Sequence, residues 1–535
     1  MTDLVLGPLL RHVDSTSATV WVQTSAPCTV EVAGCTAETF QVDGHFFALV
    51  VVTGLRPGTS TPYEVRLDGD LVWPRAGSAL PPSRIRTTAE GQDFALVFGS
   101  CRMPESDDPD ERAMMGTDAL AAYARRMIGQ DSGEWPDSLV LLGDQVYADE
   151  TSKATRSWLG GRRSIQEPPG TGAADFEEYV HLYHEAWSTS LVRWLMSTVP
   201  TSMMFDDHDV IDDWNTSLAW RTRIESTSWW AEREIGGLVS YWVYQHLGNL
   251  HPDELATDDV YAKVRAVQDG VTVLRDFART ATREVNGRRA VRWSYRRDFG
   301  RVRLLMVDTR AGRILSSGER AMVSDNEFEW LEANAEGDYD HLLIGSSLPW
   351  LMPHAISYLQ SMNEVACGKP GWRGRFAEKI RQAGDLEHWP AFRASADRLT
   401  RLIRRAAEGT AATVSVLSGD VHHVYTAKAS FDAPVNASVY QLVCSPVHNR
   451  IPRMFVPLFR LGWSKPFAAA VRSWMRLPWI SRRVAPMPVD WAKLDGPFVG
   501  NAVATLRIAG RKADVVVEHA TGDNELSPMT SAVLS

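Results

Sequence analysis

The spacing of apolar residues along this chain changes near residue 90. Before it, short stretches such as ATVWVQT (Ala18 to Thr24), CTVEVAG (Cys28 to Gly34), FFALVVVTGL and PYEVRLDG alternate or run apolar. Gly, Pro and Asp interrupt them at close intervals, which predicts short strands packed as a β-sandwich over residues 1–89. Beyond Glu90, buried-strand runs alternate with helical stretches, which predicts a layered α/β domain over residues 90–535. The strand runs there are FALVFGSC, LVLLGD, TSMMFDD, VRLLMVDTR, HLLIGSS and VSVLSGD. Each ends in Gly or in a chemically active side chain.

In the first region, Leu55-Arg56-Pro57-Gly58-Thr59 followed by Tyr63 looks like the tyrosine corner of an immunoglobulin or fibronectin III-like domain. No catalytic pattern of ionisable groups occurs there, so its expected role is structural or interactive. In the second region helices are expected over Asp118 to Gly129, Phe176 to Met196, and Ala219 to His246, with further helix up to Thr280. The Gly-, Pro- and Arg-rich stretch Thr151 to Gly172 is expected to be a surface insertion. A hairpin is predicted about Asp298-Phe299-Gly300. Ser324-Asp325-Asn326-Glu327 has the form of a capping box. Closing strands are expected at Ser438–Cys444, Asn501–Ile508 and Ala513–Glu518.

The 535 residues exceed one hydrophobic core, so more than one domain is expected. A formal charge of −10 argues against a dedicated nucleic-acid binder. The five cysteines are sparse and odd in number, unlike a disulfide framework. The start carries no export signal pattern, and no apolar run is long enough to span a membrane. The expected location is therefore the cytoplasm.

Four strand ends, far apart in sequence, each deliver metal-binding side chains: Cys101; Asp144 with Tyr147; Asp206, Asp207 and His208; and Asp420 with His422. In open α/β sheets, ligands sit beyond the carboxyl ends of the strands. Carboxylates gathered there repel one another unless cations join them. Thiolate, phenolate and imidazole suit a transition metal, whereas all-oxygen positions tolerate a harder ion such as calcium.

Five motifs in order carry a resemblance to the alkaline phosphatase D (PhoD-like) family of metallophosphoesterases. They are Gly99-Ser100-Cys101, Gly143-Asp144-Gln145-Val146-Tyr147, Asp206-Asp207-His208-Asp209, Asp308-Thr309-Arg310 and Ser418-Gly419-Asp420-Val421-His422-His423. The resemblance implies a four-layer metallophosphatase sandwich, two mixed β-sheets between helices, with an accessory N-terminal β-domain. It implies hydrolysis of phosphate mono- or diesters by a metal-bound hydroxide at a dinuclear or trinuclear site. It further implies Fe3+ on Cys101, Asp144, Tyr147 and His422, and Ca2+ or another divalent ion on Asp144, Asp207 and Asp420. Asp144 would bridge them, and His208 would assist the leaving group. Two departures stand out: Cys101 replaces the superfamily's first Asp-x-His, and IGSSLPW offers only serines where a further metal histidine is usual.

Other residues admit two readings. His423 follows His422 and points the opposite way, so a substrate contact or a supporting role is expected rather than ligation. Arg310 either clamps phosphate or forms a buried ion pair with Asp308 or another carboxylate. Arg102 is a weaker clamp candidate. Asp149 and Asp213 are expected to orient ligands or cap helices. From Arg450 to Arg483 the chain has no acidic residue, and arginines alternate with Trp463, Trp474, Trp479, Phe455, Phe459 and Phe467. This segment either forms cover helices or touches an anionic membrane, which keeps a phospholipid-directed, phospholipase D-like diesterase among the readings. A catalytically silent, metal-stabilised binding protein is the alternative from another class.

Overall fold

In the computed structural model, which describes residues 2–316, 320–451, 456–475, 484, 487–522 and 525–535, the apolar runs pair side by side. Phe94–Gly99, Ser138–Leu142 and Thr201–Met204 are parallel, with Ser138–Leu142 in the middle. Ala502–Ala509 adds antiparallel to Phe94–Gly99, and Lys512–Ala520 and Leu526–Val533 complete a six-stranded mixed sheet. A second, seven-stranded mixed sheet has Val302–Val307, His341–Ser346, Thr413–Ser418 and Ser438–Val443 as parallel neighbours. Tyr295–Phe299 lies at one edge, and Val424–Ser430 with Asp490–Phe498 at the other.

Side chains alternate across each strand, so one strand serves two cores. Leu304, Met306, Leu343 and Leu417 join Phe98, Leu142 and Val503 of the other sheet in a shared cluster. Their neighbours Leu305, Val307, Ile344 and Val416 face the opposite way, onto Phe328, Leu331, Leu399 and Ile403 of covering helices. Parallel pairing within each sheet brings Gly99, Leu142 and Met204, and likewise Val307, Ser346 and Ser418, out at one edge. The candidate chemistry starts there.

The N-terminal strands form two four-stranded sheets and a two-stranded pair. Val20, Val30, Val50, Val65 and Ile85 fill the space between them. The outer face of the first sheet is not solvated. Leu9, Trp21, Phe47 and Leu49 belong to the same core cluster as the α/β region, and the Trp21 ring lies 5.3 Å from Tyr244. Arg11, fully buried, donates to the carbonyls of Thr201, Tyr244 and Gln245. The expected tyrosine corner is also redirected: the Tyr63 hydroxyl donates to the Ser197 carbonyl across the interface rather than back into its own strands.

Several local expectations change. Thr151 to Gly172 contains a helix, Lys153–Arg162, capped by Ser152. The stretch from Phe176 is two helices, Phe176–Trp187 and Ser190–Thr198. The Trp-rich stretch likewise breaks between Leu218–Glu225 and Trp230–Tyr241. Ser324 does cap the helix Asp325–Ala335, but without a side-chain hydrogen bond. Glu327 turns inward to accept from the Ser294 amide, so no capping box forms. Three helices lie where no expectation was placed: His354–Cys367, Trp372–Ala383 and Arg393–Glu408. The basic aromatic segment contributes two short helices, Val456–Gly462 and Lys465–Met475. Arg453, Phe455, Arg476, Trp479, Arg482 and Arg483 lie outside the described residues. Among those described, no helix is long and apolar enough to cross a membrane.

Candidate metal centre

Three of the residues that leave these strands adopt left-handed backbone conformations despite having side chains: Cys101 (φ 60°), Asp420 (φ 63°) and His422 (φ 49°). Each costs on the order of 1 kcal/mol or more, and such outliers persist where the surroundings over-determine them. Two glycines let the strand ends approach. A Cβ on Gly419 would stand 1.8 Å from Ser100 Oγ, and one on Gly143 would meet the Asp206 Cβ at 2.8 Å. The loops are pinned to each other by backbone bonds from Arg102 N to the Asp144 carbonyl and from Ala148 N to the His208 carbonyl. Asp209 accepts from the amides of Gln145, Val146 and Asp206, tying the two acidic loops together.

Two donor groups result, and they share a residue. Cys101 Sγ, an Asp144 oxygen and a His422 ring nitrogen lie within 4.8 Å of one another. Oxygens of Asp144, Asp206 and Asp207 do so as well. Asp144 Oδ1 and Asp206 Oδ2 are buried without any hydrogen-bond donor. Burial raises the pKa of all three carboxyls, and Arg310 opposes the rise. Unpartnered buried carboxylate oxygens are costly, and a cation relieves that cost. These residues fit a metal centre.

Tyr147 is buried beside the first group in a small cluster with Cys101 and Met103. Its hydroxyl oxygen accepts from Asn449 Nδ2 at 2.9 Å. Burial, then the neighbouring Asp144 and Cys101, push its pKa well up. Only a strong Lewis acid would turn it into a phenolate ligand.

Asp420 stands apart from both groups. Its carboxylate accepts from Arg310 Nη2 at 3.0 Å and from His388 Nε2 at 3.1 Å. Its pKa falls despite burial because His388 and Arg310 hold the charge. Gln360 donates to His388 Nδ1, which fixes the His388 tautomer with its proton on Nε2.

Of the two readings of Arg310, the geometry matches the buried ion pair with other carboxylates of the site. It is fully buried, and its guanidinium bonds Asp206, Glu387, Asp207 and Asp420. All three of its nitrogens are engaged by carboxylates rather than turned to a phosphate in the cleft. Asp308 is not its ion-pair partner, since that carboxylate accepts from the amides of Arg310, Ala311 and Gly312. Arg102 is likewise turned away, onto Asp118 and the Ala186 carbonyl.

His208 and His423 both line a cleft of about 440 Å³ beside the donor groups. His208 Nδ1 donates to Asp149 Oδ1 at 2.9 Å. Burial alone would lower the His208 pKa, but Asp149, with Asp207 and Asp144 nearby, holds it well above its usual value. His423 stacks between Tyr425 and Phe459 and donates from Nδ1 to the Val421 carbonyl. Its Nε2 is buried and unpartnered, and burial lowers its pKa to about 4. Met352, Pro353, Ile356 and Phe459 form an apolar wall of the same cleft.

The sequence pattern missed Glu387 and His388. Glu387 pairs with both Arg310 and Arg313. The two follow a turn before Trp389 and belong to no periodic element, so the only hint was a charged pair ahead of an aromatic. Ser347 was also passed over, although its hydroxyl donates to Asp206 Oδ1.

A family model for the PhoD-like phosphatase matches residues 116–455, and a domain of unknown function matches residues 1–85. No curated protein matches significantly. Among solved structures, that of PhoD is similar at a TM-score of 0.61 and 12% identity, covering 99% of this chain and 90% of that one. A purple acid phosphatase from yellow lupin (Lupinus luteus) seeds is similar at 0.50 and 11%, covering 99% and 74%. At such identities the likeness speaks for the fold, a metallophosphatase-like arrangement of mixed sheets and helices. The family model spans more than half of the chain and takes in every strand-end motif from Asp144 to His423, so the chain belongs to the PhoD-like phosphatase family.

Proposed function

We propose that this chain hydrolyses phosphate mono- or diesters at a dinuclear or trinuclear metal centre held by the converging strand ends. The observation that carries the reading is Asp144, the carboxylate common to both donor groups. The softer group, Cys101, Asp144 and His422 with Tyr147, suits Fe3+. The oxygen-rich group, Asp144 and Asp207 with Asp206 and Asp420 at hand, suits Ca2+ or another divalent ion. When bound, the ions would supply an activated water and neutralise charge developing on phosphorus. The protein's own residues do the rest. His208, kept protonated by Asp149, donates its proton to the departing ester oxygen. His423 presents an acceptor nitrogen to a substrate hydroxyl or water. Arg310 fixes the four carboxylates around it and positions rather than touches the substrate.

The reading includes a four-layer sandwich over residues 90–535 and an immunoglobulin or fibronectin III-like domain over 1–89, supported by the two mixed sheets and the separate β-core. All five cysteines are unpaired, which suits a reducing compartment such as the cytoplasm. A second reading, a phospholipid-directed diesterase, is favoured by the apolar cleft wall, which would pack an acyl or glyceryl group. In that reading the basic aromatic 450–483 segment contacts anionic membrane. The silent binding-protein alternative leaves the His208–Asp149 pair without a task.

The test is elemental analysis with a phosphoester panel. Wild-type protein should contain iron and calcium and hydrolyse p-nitrophenyl phosphate or bis-p-nitrophenyl phosphate. Asp144→Ala should lose both metals and the activity; full activity in that variant would refute the assignment.

A further inference from the structure

The helix Trp372–Ala383 is built the wrong way out. Trp372, Phe376 and Ile380, four residues apart and hence on one side, are 67%, 59% and 45% exposed. The opposite side buries Gly374, Ala377 and Arg381, the last paired with Glu378 and Glu364. Arg373, Arg375 and Lys379 flank the apolar stripe, and Lys369 precedes it, all exposed. Among the described residues none of these four cations pairs with a carboxylate. The Arg373 guanidinium lies 5.6 Å from the Trp372 ring centre.

The helix Arg393–Glu408 is a control within the same chain. It is equally rich in arginine, yet Leu399, Leu402 and Ile403 are buried. Its Arg398, Arg404 and Arg405 pair with Asp325, Glu332 and Glu408. Among the described residues the Trp372 helix has neither its apolar stripe covered nor its four exposed cations matched, in a chain whose formal charge is −10.

An aromatic stripe edged with cations is the pattern of a helix that lies in a membrane interface. A second copy of the chain fits poorly, because a two-fold contact would set these cations against themselves. The position is also suggestive. Gly384 and Asp385, directly after the helix, line the catalytic cleft, as do Ile356 and Gln360 of the adjoining helix His354–Cys367. We propose that the Trp372–Ala383 helix docks on an anionic lipid bilayer and sets the mouth of the cleft against it. This holds whichever ester is cleaved.

Flotation of the full chain with phosphatidylcholine vesicles, with and without phosphatidylglycerol, tests it. Binding should require phosphatidylglycerol and weaken with added salt. It should fall at least ~tenfold both in Trp372→Ser/Phe376→Ser/Ile380→Ser and in Arg373→Glu/Arg375→Glu/Lys379→Glu. Hydrolysis of bis-p-nitrophenyl phosphate without vesicles should stay unchanged in both, which shows that they fold. Absent binding by the wild type, undiminished binding by the charge-reversed variant, or a wild-type dimer that the serine variant dissociates would overturn the proposal.

Discussion

The two donor groups that share Asp144 differ in burial only at His422, which is partly exposed, but they balance their charge differently. Around Asp206 and Asp207 the protein brings its own cation, the Arg310 guanidinium, with Glu387 and Asp420 completing the cage. Around Cys101, Tyr147 and His422 it brings no guanidinium, and the cation beside them is the His208 ring, whose centre lies 4.8 Å from that of Tyr147. There, burial pushes the thiol and the phenol well up and lowers the His422 pKa to about 4, so the group is neutral until a metal arrives. The first arrangement pays for part of its desolvation within the fold, whereas the second depends on an outside ion. The softer group should therefore hold its metal tightly, and the carboxylate group should exchange its ion more readily.

The largest expected effect breaks the carboxylate side. Arg310→Met leaves buried carboxylates uncompensated and should cost ~3–5 kcal/mol of stability, read as a lowered urea midpoint. If the midpoint does not move, the guanidinium is not what balances that side. Cys101→Ser attacks the other group. Losing an outer partner of a metal site alone costs ~10–100-fold, so losing a ligand, the role proposed for Cys101, should cost more than about 100-fold in activity. Iron content should fall while calcium remains; parallel loss of both ions would argue that the groups are not separable.

Two buried histidines away from the strand-end donor groups give a baseline for this comparison. His12 and His246 sit near the interface between the β-region and the α/β region, and burial lowers their pKa values to about 4 and about 3. The unfolded chain takes up their protons near pH 6.5 while the native chain does not, so stability rises with pH across that window. It should be fully present above pH 6.5 and fall on the order of 2 kcal/mol for each histidine between pH 7 and 5. Denaturation midpoints at those two pH values, with His246→Phe as control, check the sign. The smallest change in rate belongs to Tyr147→Phe. It should abolish a visible tyrosinate-to-iron absorption band while altering turnover less than ~tenfold; a band that survives would remove Tyr147 from the ligand set.

Much of the scaffold was legible because its signals are local. An apolar run that stops at Gly143-Asp144 or Gly419-Asp420 marks a buried strand and its end without reference to anything distant. The hairpin about Gly300 forms, with Tyr295–Phe299 and Val302–Val307 as its arms. Legibility failed where the deciding partner was far away in sequence. Glu327 matches a capping box by spacing, but Ser294 claims its carboxylate. No expectation was placed on the Trp372 helix, whose exposed apolar side lies outside the core clusters.

From the residues alone came the strand ends, the order of the motifs and the donor types, hence the family resemblance. Parallel pairing and the bare Cα atoms of Gly143 and Gly419 then brought four distant strand ends within ligand reach. Tertiary structure alone decided between the two readings of Arg310, in favour of an internal counter-ion, because only packing reveals which charges are cut off from water. It likewise gave His208 its partner Asp149 and brought Glu387 and His388 to a centre that their own neighbourhood in sequence does not announce.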